Sequence, residues 1–370
     1  MSRTSIQKLA RIPESLRDSI TCTRSKYRQL GRSGLRVSNP ILGCMHFGSS
    51  RWFPWVLEEE KSLGILKAAY DSGINTWDTA NVYSNGQSER IIGKALQLYK
   101  IPRHKVTLMT KCYRVVCDSE NYDPGSGVTM HHDLADESKD YVNNWGLSRA
   151  AIFQAVEASL NRLNTNYIDV LQIHRYDTTV PPEETMGALN DLVRSGLVRY
   201  IGASSMWTYQ FATLQYIAEK NGWAKFISMQ NHYNLLYREE EREMIKYCNA
   251  TGVGIIPWAP LAHGRLARAP EQKDSTLRSS LSSGGSLYGG DERGSDAIVS
   301  RVHDIALKRG WPMSHVALAW LNRKVTAPII GISSISRMEE ALDAVDKELT
   351  ADEEEYLEEL YLPQTIQGHT

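Results

Sequence analysis

Ser148-Arg-Ala-Ala-Ile-Phe-Gln-Ala-Val-Glu-Ala-Ser-Leu-Asn-Arg-Leu163, followed after three intervening residues by Tyr167-Ile-Asp-Val-Leu-Gln-Ile-His174, sets the pattern of the fold. In its first half Ala151, Ile152, Ala155, Val156, Leu160 and Leu163 share one helical face. Arg149, Glu157 and Arg162 lie largely off that face, so the segment predicts an amphipathic helix. The second half is a short apolar run rich in β-branched residues, the signature of a buried strand. The same pairing recurs along the chain. Apolar runs end at Gly43, Asp78, Lys111, His174, Ser204, Gln230, Trp258 and Gly331. Amphipathic stretches fall at 58–72, 88–100, 148–163, 183–196, 207–221, 238–251, 295–310 and 336–346. Eight strands alternating with eight helices, without a break in composition, predict an α/β fold: a (β/α)8 TIM barrel. A doubly wound sheet is the alternative, but no strand–GxGxxG–helix opening supports it.

Helix starts are marked at Ser88-Glu89 and at Pro181-Pro182-Glu183-Glu184. Gln29-Leu-Gly31-Arg-Ser-Gly34-Leu-Arg-Val37 has the glycine turn spacing of a β-hairpin, expected to cap the N-terminal end of the barrel. Residues 113–147 and 261–294 are long connections that leave the C-terminal rim. Connections of that length read as binding loops or lids, or else as disorder. Residues 1–26 are expected to be an extension, 27–347 the barrel, and 348–370 a C-terminal helix and tail.

The chain has 370 residues, 42% of them hydrophobic, and a formal net charge of −1. That length suffices for one large core. No global basic field exists to attract nucleic acid. No apolar run reaches the roughly 18 residues that a membrane helix needs. The five cysteines (22, 44, 112, 117 and 248) are scattered and lack paired metal-ligand spacing, so they read as reduced thiols in the cytoplasm, with no metal site. Ile6, Leu9, Ile12, Leu16 and Ile20 recur at helical spacing among basic residues. Glu14, Asp18 and Pro13 argue against a mitochondrial presequence, and a loosely docked extension is expected.

Four ionisable residues stand at or just past three of the strand ends: Asp78, Tyr83, Lys111 and His174. In a parallel barrel they share one rim, the usual address of its chemistry. A phenol alone transfers protons poorly at neutral pH. A neighbouring ammonium favours its ionised form, and an aspartate fixes the ammonium. A histidine polarises a substrate oxygen or shares the proton path. Together they make a proton donor for an alkoxide forming from a carbonyl. The set holds no hydride source, so a nicotinamide cofactor is implied. Singly, each such residue is more often a surface, capping or packing group; the joint placement carries the reading. His46 and His263 lie on rim loops and could line a pocket. His131-His132 and the Cys112/Cys117 pair read as loop and packing residues. His104, His303 and His369 read as surface residues.

Across about residues 27–347 the chain resembles the aldo-keto reductase superfamily. The matches are Gly73-Ile-Asn-Thr-Trp-Asp78-Thr-Ala-Asn-Val-Tyr83, Thr110-Lys111, Gly146-Leu-Ser-Arg149, Ser159-Leu-Asn-Arg162-Leu and Tyr167 through His174-Arg175. Gly202-Ala-Ser-Ser205, Gln230-Asn231 and Pro257-Trp258-Ala-Pro260-Leu-Ala-His-Gly264 continue them. The Trp258 strand and the Gly331-Ile-Ser333 ending resemble the branch that includes potassium-channel β-subunits and related fungal and bacterial reductases. The resemblance implies NADPH-dependent carbonyl reduction. Tyr83 would be general acid, Lys111 and Asp78 would tune it, and His174 would orient the carbonyl.

The resemblance also implies the cofactor contacts. Gly43, Cys44 and Met45 would approach the nicotinamide ribose, with Asp78 as a further contact. Ser204 and Gln230 would hold the carboxamide, and Trp258 would stack on the ring. Ala259, Pro260, Leu261, Gly264 and Arg265 would run along the pyrophosphate. Gly331, Ser333, Arg337 and Glu340 would meet the adenosine end, with Ser333 and Arg337 facing a 2′-phosphate. The chain departs from the family pattern at Ser205 and Ala341, where asparagine is usual, and at Arg268-Ala269, where glycine-lysine is common. Phe47, Trp52, Phe53, Trp55, Trp145 and Trp207 are expected to wall a pocket for an apolar or aromatic carbonyl compound. The alternatives are an NADP-binding regulatory subunit and an enzyme of secondary metabolism acting on an aromatic carbonyl.

Overall fold

The computed structural model describes residues 12–117, 123–125, 127–272 and 294–369. Residues 1–11 of the expected extension and the serine/glycine run 282–290 lie outside them. β1 (Lys26–Gln29) and β2 (Arg36–Asn39) form an antiparallel hairpin in register Lys26↔Asn39. Eight further strands form one parallel sheet: β3 (Ile41–Gly43), β4 (Thr76–Asp78), β5 (Thr107–Cys112), β6 (Ile168–Ile173), β7 (Val198–Ser204), β8 (Phe226–Gln230), β9 (Gly254–Ile255) and β10 (Ile329–Gly331). Their order is β10-β3-β4-β5-β6-β7-β8-β9. Two bonds join the outer strands into a ring: Thr326 N donates to Ile255 O at 2.9 Å, and Ile329 N to Pro257 O at 3.0 Å. Pro257 and Pro328 each lack an N–H at this seam, so the ladder there is short. All eight expected strands lie in this sheet, which is the (β/α)8 arrangement.

The hairpin caps the N-terminal end as expected. Its Leu30 and Val37 pack with Ile41, Met109, Val170, Ile256, Ala327 and Ile329 as a small core inside the barrel mouth. Gly31 at φ +59° turns tightly against Gly252, whose carbonyl accepts from Arg32 N at 2.8 Å. A much larger apolar core separates the sheet from its helices.

The helices follow local signals. Ser148 caps Arg149–Leu163 by accepting from Ala151 N at 3.2 Å, and Asn164 ends that helix in the left-handed region. Pro182 opens Pro182–Arg194. Ser88 does not cap its helix, Gln87–Leu98, because Gly86 stands at the N-cap. The Ser88 hydroxyl instead bonds Thr79 Oγ1 at 2.8 Å and Cys44 O at 2.9 Å, tying two strand ends together. Among the described residues three helices go beyond the eight expected within the barrel and the one expected at the C-terminus, one of them the single turn His132–Ala135. Glu14–Cys22 has no buried residue, whereas all ten residues of Met313–Asn322 are buried. A helix buried on every side has no solvent face and so no clear amphipathic period to detect.

Candidate active site

Parallel register puts the four ionisable residues together. Gly43 pairs with Asp78 across β3–β4, and Lys111 pairs with Gln172 across β5–β6. Lys111 Nζ lies 2.6 Å from Asp78 Oδ2, and both side chains are almost wholly buried (0% and 3% exposed). The ammonium also donates to Thr79 O at 2.8 Å and to Tyr83 Oη at 3.4 Å. The rings of Tyr83 and His174 meet edge to face with centroids 6.0 Å apart. Tyr83 is placed by a tight turn in which Ser84 and Asn85 take φ near +50°. Such left-handed residues store strain that the surrounding bonds must hold. Here Ser84 Oγ accepts from Ser49 N at 2.8 Å, and Asn85 Oδ1 accepts from Cys117 N at 2.8 Å.

The electrostatics separate two bases. Burial alone would lower the Lys111 pKa, but the charge of Asp78, then that of Tyr83, outweighs it and the ammonium is raised above its ordinary value. Burial drives His174 well below the ordinary imidazole value, helped by Arg175, Lys111 and Arg114, so its ring is neutral. Its Nδ1 is buried without a hydrogen-bond partner among the described residues. Burial also raises the Cys44 thiol well above its ordinary value and Cys112 to about 12, which excludes either as a thiolate at neutral pH.

Beneath these groups lies an amide bridge that the sequence reading did not assign. Gln172 Nε2 donates to Asp78 Oδ1 at 2.8 Å, and Gln230 Nε2 donates to the same oxygen at 3.0 Å and to Gln172 Oε1 at 2.8 Å. Gly202 leaves room for it: a Cβ there would sit 2.5 Å from Ser228 Oγ and 3.1 Å from Gln172 Cγ. The available signal was one glutamine inside the apolar run Val170-Leu-Gln-Ile173.

A cleft of about 920 Å³ opens above the rim. Gly43, Cys44, Met45, Asp78, Ser204, Gln230, Trp258, Ala259, Pro260, Leu261, Gly264, Gly331, Ser333, Arg337 and Glu340 all line it, as do Tyr83 and His174. Arg265 does not. Its guanidinium turns to Asp296 at 2.6 Å, and Arg268 lines the cleft in its place. Glu340 lines the wall with its carboxylate taken by the Ser314 hydroxyl. His46 and His263 do line the cleft, and Trp55 is the expected aromatic that faces it. Trp55 stacks on Phe53 (5.3 Å, 7°), and Trp52 lies 6.4 Å from the Tyr83 ring. Phe47 is fully buried in the core instead. Trp145 packs on Tyr113 and His132, away from the lining. Trp207 faces His369, whose side chain is 7% exposed beside Glu240, so His369 is not the surface residue expected.

The cleft walls fit an elongated ligand with a flat polar ring at one end and anionic groups at the other. Trp258 offers an aromatic platform beside Ser204 and Gln230. Gly43 and Gly331 keep the wall low; a Cβ at Gly43 would meet Ile330 O at 3.2 Å, and one at Gly331 would collide with the His46 ring. The loop after Trp258 carries Ala259, Ala262, His263 and Gly264 at positive φ (52°, 46°, 56° and 97°). Arg268 and Arg337 face the far end close enough that Arg337 helps lower the Arg268 pKa, second to burial. Two guanidiniums this close, with no carboxylate partner among the described residues, suit a phosphate. A nicotinamide dinucleotide has these parts, and the residues present fit one.

Comparison with known proteins agrees in kind. The family model described as "Aldo/keto reductase family" matches residues 41–362. An aldo-keto reductase of Fusarium vanettenii is 72% identical over 370 residues, 100% of both chains. The versiconal hemiacetal acetate reductase of Aspergillus parasiticus is 52% identical over 344 residues, 92% of this chain and 98% of that one. A putative aryl-alcohol dehydrogenase of Schizosaccharomyces pombe is 50% identical over 352 residues, 92% of this chain and 97% of that one. A parallel barrel whose rim gathers an aspartate, a lysine, a tyrosine and a histidine beneath one cleft, matched along nearly its whole length, places the chain in the aldo/keto reductase family.

Proposed function

We propose that the protein reduces an aldehyde or ketone to the alcohol with NADPH, and that Tyr83 delivers the proton. The observation that carries this is the contact of Lys111 Nζ with both Asp78 (2.6 Å) and Tyr83 Oη (3.4 Å) at the floor of the cleft. When bound, the nicotinamide dinucleotide supplies the hydride. The Tyr83 O–H gives its proton to the carbonyl oxygen as negative charge develops there. Lys111 stabilises the phenolate left behind, and Asp78 holds Lys111 charged. The neutral His174 ring donates a hydrogen bond that fixes the carbonyl oxygen. Preference for NADPH over NADH is supported by the paired guanidiniums of Arg268 and Arg337 beside Ser333, which Arg337 Nη1 bonds at 2.7 Å.

An aromatic or apolar carbonyl is the substrate class favoured by Trp55, which faces the cleft and is backed by Phe53 and Trp52. A cytoplasmic setting fits the five free cysteines. Among the described residues no helix is long and apolar enough to cross a membrane. The domain division proposed is an extension through residue 26, a barrel over 27–347, and a C-terminal helix and tail. The test is oxidation of NADPH, followed optically, with a panel of aromatic aldehydes and ketones. Tyr83→Phe is expected to lower kcat by about 10²–10⁴; turnover at the wild-type rate in that variant would reject the assignment.

A further inference from the structure

Trp258 has one face toward the cleft and one face away from it. The far face is covered by His232, with centroids 4.1 Å apart and planes within 8°. Tyr237 in turn covers His232, at 4.3 Å and 12°. The indole is fixed at its edge as well, since Trp258 Nε1 donates to Ser205 Oγ at 3.1 Å. The three rings form a column, and only its Trp258 end reaches the cleft.

His232 is suited to stacking because it is neutral: burial, then His263, holds its pKa well below the ordinary value. Asn234 fixes the ring by approaching Nε2 through its amide nitrogen at 3.1 Å. The same nitrogen donates to Ala259 O, the residue after Trp258, at 2.9 Å. The C-terminal tail closes over this assembly. Gln367 N donates to Tyr237 Oη at 3.0 Å. A Cβ at Gly368 would lie 3.3 Å from the Trp258 ring. His369 Nε2 lies 2.9 Å from Glu240 Oε1. The other Glu240 oxygen accepts from Asn231 Nδ2 at 2.6 Å, and Asn231 Oδ1 accepts from Ser205 N at 2.7 Å. The tail therefore reaches the indole by two routes, through the rings and through Glu240–Asn231–Ser205.

We infer that His232 is a positioning residue for the Trp258 platform, and that tail residues 367–369 lock it from behind. The inference rests on the reading of the cleft as a dinucleotide site. Removing the imidazole opens a space behind the indole and lets it leave the cleft wall. A flat ring of similar area refills that space, so shape rather than basicity is the property required.

The experiment uses full-length protein carrying 5-fluorotryptophan, with the Trp258 ¹⁹F line assigned from Trp258→Phe. NADPH is the probe, and its Kd is read separately from its fluorescence. In the wild type, NADPH is expected to shift the Trp258 line. In His232→Ala the line of the ligand-free protein shifts or broadens, and the NADPH Kd rises about tenfold, the worth of one stacked aromatic contact. His232→Phe restores both within about threefold. His369→Ala moves the same line and weakens NADPH less, and combining it with His232→Ala adds little, as expected for one unit. Equal Kd values for wild type and His232→Ala would overturn the inference, as would failure of His232→Phe to rescue. If NADPH does not move the Trp258 line in the wild type, the dinucleotide reading of the cleft fails, and the inference falls with it.

Discussion

Lys111 and Asp78 form an ion pair at 2.6 Å with side chains 0% and 3% exposed, so each is uncompensated without the other. Lys111→Met leaves the Asp78 carboxylate with only the Gln172 and Gln230 amides, both on Oδ1. Breaking a buried pair from one side costs about 3–5 kcal/mol, because a charge is stranded. Asp78→Asn strands the ammonium instead, with Thr79 O and Tyr83 Oη as its remaining partners, at a similar cost. The double variant strands no charge. It should therefore be more stable than the sum of the two losses predicts, by at least about 2 kcal/mol. The assay is urea unfolding of the four proteins at pH 7, by circular dichroism and tryptophan emission, with comparable m-values. Additivity within about 0.5 kcal/mol would refute the reasoning, since it would mean that the two charges do not sense each other. Both variants that lack Lys111 should lose turnover, including the double variant that regains stability, because the Tyr83 phenolate then lacks its cation.

Arg337→Ala should raise the Kd for NADPH by roughly 10- to 150-fold, the worth of a hydrogen bond to a charged group, while leaving that for NADH nearly unchanged; titration with both cofactors checks it. Gly331→Ala should weaken NADPH with little change in Tm, because its Cβ displaces the His46 side chain in the cleft rather than backbone in the core. Stability should fall as the solution is acidified from pH 7 to pH 5.5. His174 and His232 both have folded pKa values well below 6.5, so the unfolded chain takes up protons that the folded chain refuses. The loss is about 1.2 kcal/mol per histidine over that interval and is absent above pH 7.5; urea midpoints across the range, with the slope about halved by His174→Gln, test it.

The barrel was legible because parallel strands buried on both faces read as unbroken apolar runs. All eight lie in the sheet, and their polar ends share a rim because register is continuous from β10 to β9. The sequence reading failed where burial was complete or contacts were distant. Met313–Asn322 is buried all round and shows no polar stripe. The Gln172–Asp78, Gln230–Asp78 and Gln230–Gln172 bonds span 94, 152 and 58 positions, and no local pattern announces them. His369 looked like a polar terminal residue, yet it meets Glu240 across the fold. Arg265 and Arg268 differ by three positions in one irregular loop, where no helical or strand period tells which guanidinium faces inward.

Two fully buried bases flank Tyr83 and reach opposite states. Burial penalises the charged form of both Lys111 and His174. The difference is the anion: Asp78 lies against Lys111, whereas Arg175, Lys111 and Arg114 are the charges felt by His174. The carboxylate thus sets the state of Lys111, while burial and then Arg175 set that of His174, with Lys111 adding to them. Asp78 keeps the ammonium charged, and that retained charge in turn helps to keep the imidazole neutral. The phenol then has a fixed cation on one side, able to stabilise its conjugate base, and an uncharged ring on the other. A second cation at His174 would compete with Lys111 for the phenolate; a neutral ring can bond a carbonyl oxygen without doing so. The amides of Gln172 and Gln230 hold the Asp78 oxygen that Lys111 does not use, so the carboxylate cannot turn away. The electrostatic order of the site therefore depends on glutamines and a glycine inside the barrel as much as on the four residues at its rim.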